Sequence, residues 1–187
     1  MPEPFLGDGL IFEELLPVAW TPGVLADGAL LERLNADNHQ LLGAEASLDG
    51  VRVHEALKDE SPALLNELQR LEYKVNILLR LTADLALRSS GLPAAERVRM
   101  SSHALQWFGE HSVQAEATGL LSIYIHASLP QPLKLPSIAA GECVIGGARA
   151  TQFRFVGVSD AVVDMLEKLI FRHHRRLVAG SRHSLLP

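Results

Sequence analysis

The chain alternates between two hydrophobic periods, and each change of period marks an element. Leu10-Ile11-Phe12 and Leu15-Leu16-Pro17-Val18-Ala19-Trp20 form an apolar run closed by Thr21-Pro22-Gly23. Pro17 would break a helix interior, so residues 10–20 read as a strand followed by a turn. From Ala26 to Leu42 the spacing becomes helical, with Leu30, Leu34 and Leu41 on one face and Gly43 placed to stop the helix. Ser47 to Arg52 is polar and carries an Asp49-Gly50 turn signal.

The next segment has the most regular pattern. Ser61-Pro62 suits a helix start, since Ser caps free N–H groups and Pro fits the first turn. The pattern predicts a helix over 61–88, ended by Ser89-Ser90-Gly91 and Pro93. Leu57, Leu64, Leu68, Leu71, Val75, Leu78, Thr82 and Leu85 hold heptad phase, with Leu at each d position and Leu, Val or Thr at a. Leu65 and Leu79 fall at e and Leu81 at g, which widens the apolar face beyond one two-stranded seam. The spacing therefore predicts self-association, with a tetramer favoured over a dimer. Thr82 is a polar a position that could help fix register.

After Gly91 the period falls to two. Arg97 to Met100, Leu105 to Phe108, Leu121 to His126 and Gln152 to Phe155 read as strands. Leu133 to Leu135 and Cys143 to Ile145 read as shorter apolar stretches. Pro130, Pro132, Pro136 and Gly146-Gly147 punctuate them, and the whole suggests a small barrel. Ser159-Asp160 opens a last helix lined by Val162, Leu166, Leu169 and Ile170, with acids early and Arg/His late, as the helix dipole prefers.

Composition narrows the functional classes. At 187 residues and 48% hydrophobic, the chain can build one domain with an elaboration. A net charge of -5 argues against general nucleic-acid binding, the local exception being Arg172-His173-His174-Arg175-Arg176. One thiol, Cys143, excludes an internal disulfide and suits a reducing cytoplasm. No apolar run approaches the length of a membrane span, and no signal peptide is expected. The eight histidines show no metal-ligand spacing, and Cys143, Ser101 and Ser102 sit in no nucleophile context. No catalytic residue, cofactor or metal is expected.

Two stretches carry a resemblance to a known family. Val98-Arg99-Met100-Ser101-Ser102-His103-Ala104-Leu105-Gln106-Trp107 resembles the second strand of PilZ domains, bacterial modules known as cyclic di-GMP receptors, with its Asp/Asn-x-Ser-x-x-Gly motif. Phe153 to Ser159, leading into Met165-Leu166-Glu167-Lys168-Leu169-Ile170-Phe171-Arg172, is similar to the family's final strand and closing helix. The resemblance implies an α+β fold: a small antiparallel β-barrel with a C-terminal helix. The long heptad helix would be inserted between its first and second strands.

The departures from the family pattern are specific. No Arg-x-x-x-Arg motif precedes the first strand, Arg99 stands at the Asp/Asn position and Ala104 at the Gly. The pattern is that of the atypical PilZ group: a non-enzymatic bacterial signalling or virulence/motility adaptor, one domain over 1–187, with a protein partner. The strand would occupy 10–20, the helical insertion 24–91, and the remaining barrel and helix 92–187. Two alternatives stay open. One is a cyclic di-GMP receptor using Arg99 and Ser101; the other is a nucleic-acid-associated oligomer using the C-terminal basic cluster.

Overall fold

Six strands close into an antiparallel barrel in the order β1-β2-β3-β6-β5-β4. The structure, a computed structural model, describes residues 5–48 and 62–183. Its elements are β1 (Phe12–Pro22), α1 (Gly28–Leu48), α2 (Pro62–Ser90), β2 (Ala95–Met100), β3 (Ala104–Phe108), β4 (Thr118–Ile123), β5 (Leu133–Ile145), β6 (Ala148–Phe155) and α3 (Asp160–His183). Asp49-Gly50 and Leu57 lie outside the described residues.

The first strand closes the barrel by serving two neighbours. Phe12 to Pro17 pair with β2, and Val18 to Pro22 pair with β4. Pro17 sits where the strand changes partner, and its carbonyl accepts the Tyr124 N–H at 3.1 Å. A residue without an N–H is tolerated at such a handover because no continuous ladder passes through it. β1 thus joins the same barrel as the C-terminal strands, although both α1 and α2 intervene.

The strands bury one side-chain set inside the barrel, where Val98, Met100, Leu105, Leu121, Ile123, Leu133, Leu135 and Phe153 are fully enclosed. Trp20 and Trp107 tilt against Phe153 with ring centroids 4.9 and 6.4 Å away. At one end α3 adds Val162, Leu166, Leu169 and Ile170 to the same core. Its start is capped by Ser159, whose Oγ accepts the Val162 N–H at 3.4 Å while its carbonyl takes the first bonds of the helix, from Val162 and Val163.

Several boundaries differ from the sequence pattern. β1 covers Phe12–Pro22 rather than 10–20, β4 covers Thr118–Ile123 rather than 121–126, and β6 starts at Ala148 rather than Gln152. Two larger differences have a packing cause. α1 does not stop at Gly43 but runs to Leu48. Leu41 and Leu42 enter the core and Glu45 is buried beyond them, so tertiary packing outweighs the roughly 1 kcal/mol helical cost of one Gly. Likewise Leu133–Leu135 and Cys143–Ile145 are the two ends of one 13-residue strand, β5, which continues through Pro136. Gly146 and Gly147, at φ 58° and 84°, make the two-residue hairpin turn to β6, where left-handed conformations are required. Gly91 at φ 68° ends α2 in the same way.

Candidate functional site

Two surfaces bear on function: the outer face of α2, and a cleft beside α3. On α2 the heptad positions do not turn inward. Leu71, Val75, Leu78 and Leu85 are 49%, 51%, 62% and 73% exposed. Leu68, also in the stripe, is half-buried; the Leu64 backbone is helical. Leu81, at a flanking position, is exposed as well. The Thr82 hydroxyl donates back to the Leu78 and Leu79 carbonyls at 3.0 and 2.9 Å. It is satisfied within its own helix and can enter an apolar seam without an orphaned donor.

The cleft, about 720 Å³, lies between three segments distant in sequence. Leu6 to Leu10, ahead of β1, form one wall, and the β2–β3 turn at Ser101-Ser102-His103 closes one end. Asp164, Glu167, Lys168, Ile170 and Phe171 of α3 form the other wall. Ser102 Oγ donates to Glu167 Oε1 at 3.3 Å, tying the turn to the helix.

Ser101 reaches this cleft; Arg99 does not line it. Arg99 lies on the outer barrel face opposite Glu13, its cross-strand partner. Glu13 holds two guanidinium groups: Arg97 Nε and Nη2 approach Oε1 at 2.8 and 2.5 Å, and Arg99 Nε lies 3.4 Å from Oε2. Arg97 also stacks 4.5 Å above the Phe108 ring. A phosphate at either arginine would have to displace Glu13. The Arg99 Nε is buried at ion-pair distance from that carboxylate but without hydrogen-bond geometry. Sequence reasoning missed Glu13. Its outward position on β1, in phase with Arg97 and Arg99, was the available signal.

The C-terminal basic cluster is not a single surface. Arg172 pairs with buried Glu45 of α1. His173 tilts against Phe12 with ring centroids 4.2 Å apart, and its Nδ1 is 3.7 Å from Glu14. Arg175 lies 5.9 Å from the Phe171 ring. Two of the five basic residues are therefore turned onto α1 and β1. Among the described residues, no group of three or more His, Cys, Asp or Glu could hold a metal ion. Nor is any helix among them long and apolar enough to cross a membrane.

The barrel order, the closing helix and the turn at Ser101 define a PilZ-like fold. A pathogenic protein from Xanthomonas campestris, solved as a tetrameric PilZ domain self-assembled via an unusual helical bundle, matches with a TM-score of 0.71. The two are 25% identical, over 92% of each chain. The sequence model for the atypical PilZ domain, a family described as a cyclic di-GMP receptor, matches residues 42–183, and the chain belongs to that family. Among curated proteins no match to the chain is found.

Proposed function

We propose that this protein is a non-enzymatic atypical PilZ adaptor of the bacterial cytoplasm, assembled as a homotetramer through α2. It would act as one domain over 1–187, presenting barrels to a protein partner. The observation that carries this reading is the exposed heptad stripe of Leu71, Val75, Leu78 and Leu85. Full burial of an exposed side chain of this kind is worth about 1.5–3 kcal/mol, so each of these, half to three-quarters exposed, has roughly 1–2 kcal/mol to gain by leaving water. Leu81 at a flanking position widens it, and a four-helix arrangement covers a wide stripe better than a pair does. The tetrameric assembly of the Xanthomonas protein supports the same reading.

Sedimentation at about 10 μM, a concentration suited to a stable oligomer, tests the assembly. A tetramer is expected, and Leu71→Asp with Leu78→Asp should dissociate it. A wild-type monomer would refute assembly through α2, and a clean dimer would refute the tetramer alone.

The adaptor lacks cyclic di-GMP binding of the paired-arginine kind, since both arginines on β2 already face Glu13. A second reading, a receptor using Arg99 and Ser101, is favoured by the buried Arg99 Nε and by the family's description. Calorimetric titration separates the two. Micromolar or tighter binding that disappears in Arg99→Ala would support the receptor, and no binding at millimolar nucleotide would refute it.

A further inference from the structure

The solvent-facing stripe of α3 is acidic in its first half, carries an aromatic ring at its centre and presents Arg175 with Val178 in its second half. Asp160, Asp164 and Glu167 are exposed in its first half, with Lys168 the one cation there. Arg175 and Val178 are exposed in its second half, beside His174. Phe171, at the middle of the Asp160–His183 helix, is 52% exposed. This charge order also complements the helix's own dipole. The dipole gives no reason for an exposed Phe at the midpoint, nor for the open cleft that runs alongside it past Leu6 and Leu10.

We infer that this stripe is a second self-association surface, on which α3 of one copy packs antiparallel against α3 of another about a twofold axis at Phe171. In that register, residues equally far from Phe171 on opposite sides meet. Glu167 faces the other copy's Arg175, and the reverse contact repeats across the axis, as an isologous interface requires. Asp164 falls opposite Val178, and Lys168 falls opposite His174. The two Phe171 rings meet at the centre and cover the Leu10 side of each cleft. Arg175 already lies beside its own Phe171, at 5.9 Å, which places the guanidinium at the edge of this contact. A parallel arrangement would set Glu167 against Glu167. The occupant is therefore a second copy of this chain, because α3 itself supplies the basic segment with an aromatic anchor that the acidic, apolar wall calls for. The contact is separate from α2, so a chain can use both.

The test is a charge swap. In the Leu71→Asp/Leu78→Asp protein, sedimentation at about 100 μM should show a dimer at roughly 0.05 M NaCl that shifts toward monomer at roughly 0.5 M, where surface charges are screened. Glu167→Arg alone and Arg175→Glu alone should each weaken the dimer about tenfold or more, as two repulsive contacts replace two attractive ones. Mixing these two variants should restore association, because each then carries the other's complement. The double variant in one chain should restore it too, and Phe171→Ser should abolish it. A monomer at low salt, or a dimer indifferent to the charge swap and to Phe171, overturns the inference. Should the α2 variant fail to fold, light scattering of the same single variants on the intact α2 background reads the same contact. Scattering should rise in the mixture and not in either component; equal scattering in all three would count against it. Failure of α2 assembly would appear separately, as a wild-type particle of the same mass as the Leu71→Asp/Leu78→Asp protein.

Discussion

Replacing Asn38 by Ala should destabilise the barrel far more than the loss of one small polar side chain suggests. Asn38 lies on α1, is 3% exposed, and bonds one strand residue twice. Its Nδ2 donates to the Lys134 carbonyl at 2.8 Å, and its Oδ1 accepts the Lys134 N–H at 2.9 Å. The strand needs this help. β5 pairs with β4 from Leu133 onward, whereas its pairing with β6 begins only at Ser137. At Lys134 the edge facing away from β4 has no strand beside it, and the Asn38 amide takes the strand's place. Three residues earlier Asn35 repeats the device, accepting the Ser159 N–H at 3.0 Å and donating to the Gly157 carbonyl at 2.9 Å.

Removing the Asn38 amide costs two part-buried hydrogen bonds and leaves a donor and an acceptor on Lys134 without their protein partner, so the expected loss is about 2–4 kcal/mol. For a chain of this size that corresponds to a fall in Tm of roughly 4–16 °C. Asn38→Leu separates bonding from packing: it fills the volume and should still lose as much. Urea unfolding followed by circular dichroism, at one fixed protein concentration so that the proposed assembly would contribute equally to each variant, gives the number. A loss below about 0.5 kcal/mol in both variants, the level of an ordinary surface change, would refute the reasoning.

Other positions yield sharper local expectations. A Cβ on Gly119 would lie 2.3 Å from the Thr21 carbonyl oxygen, where β4 meets β1, so Gly119→Ala should cost about 1–3 kcal/mol in the same urea assay. Arg172→Met leaves the Glu45 carboxylate buried without its cation and should cost about 3 kcal/mol, against under about 0.5 for Arg175→Met on the exposed face. Burial pushes the Cys143 thiol up, which lowers its thiolate fraction at any given pH. Its alkylation by iodoacetamide at about pH 8, just below the reference range for a free thiol, should be slower than that of an unhindered peptide thiol, with the rate still rising where the peptide's has levelled.

Those parts of the fold written as a single local period were legible in the sequence. The apolar run of β1 with its helix-breaking Pro17, the heptad stripe of α2 and the buried positions of α3 each follow from the residues of one element. What was not legible depended on partners far along the chain. Gly43 looked like a helix stop because the pull of Leu42 and Glu45 toward the barrel and Arg172 is invisible locally. Pro136 looked like a break because a proline normally interrupts a ladder. Here its carbonyl accepts the Val156 N–H at 2.8 Å, so its N-less side faces β6 where that strand is ending, and the β4 ladder is untouched. Arg99 and Ser101 were read as neighbours in one motif, yet the strand sends Arg99 to Glu13 and the turn sends Ser101 to the cleft. The cleft itself needs Leu6, Ser102 and Glu167 together, and no motif links them.

The place of the insertion makes a long exposed helix compatible with a closed barrel. Residues 23–94 connect β1 to β2, which are direct antiparallel neighbours. Lengthening a short hairpin connection to this extent adds roughly 2.5 kcal/mol of loop-closure entropy, since that cost grows only with the logarithm of length. The packing of α1 offsets it: Leu41 and Leu42 enter the core, Asn38 completes the edge of β5, and Glu45 meets Arg172 on α3. The first helix of the insertion therefore stabilises the barrel, while the heptad face of the second remains exposed. The residues that pack the connection onto the barrel and those of the exposed α2 stripe are different, so substitutions on that stripe would test the proposed assembly without touching the ladder that holds β1 in place.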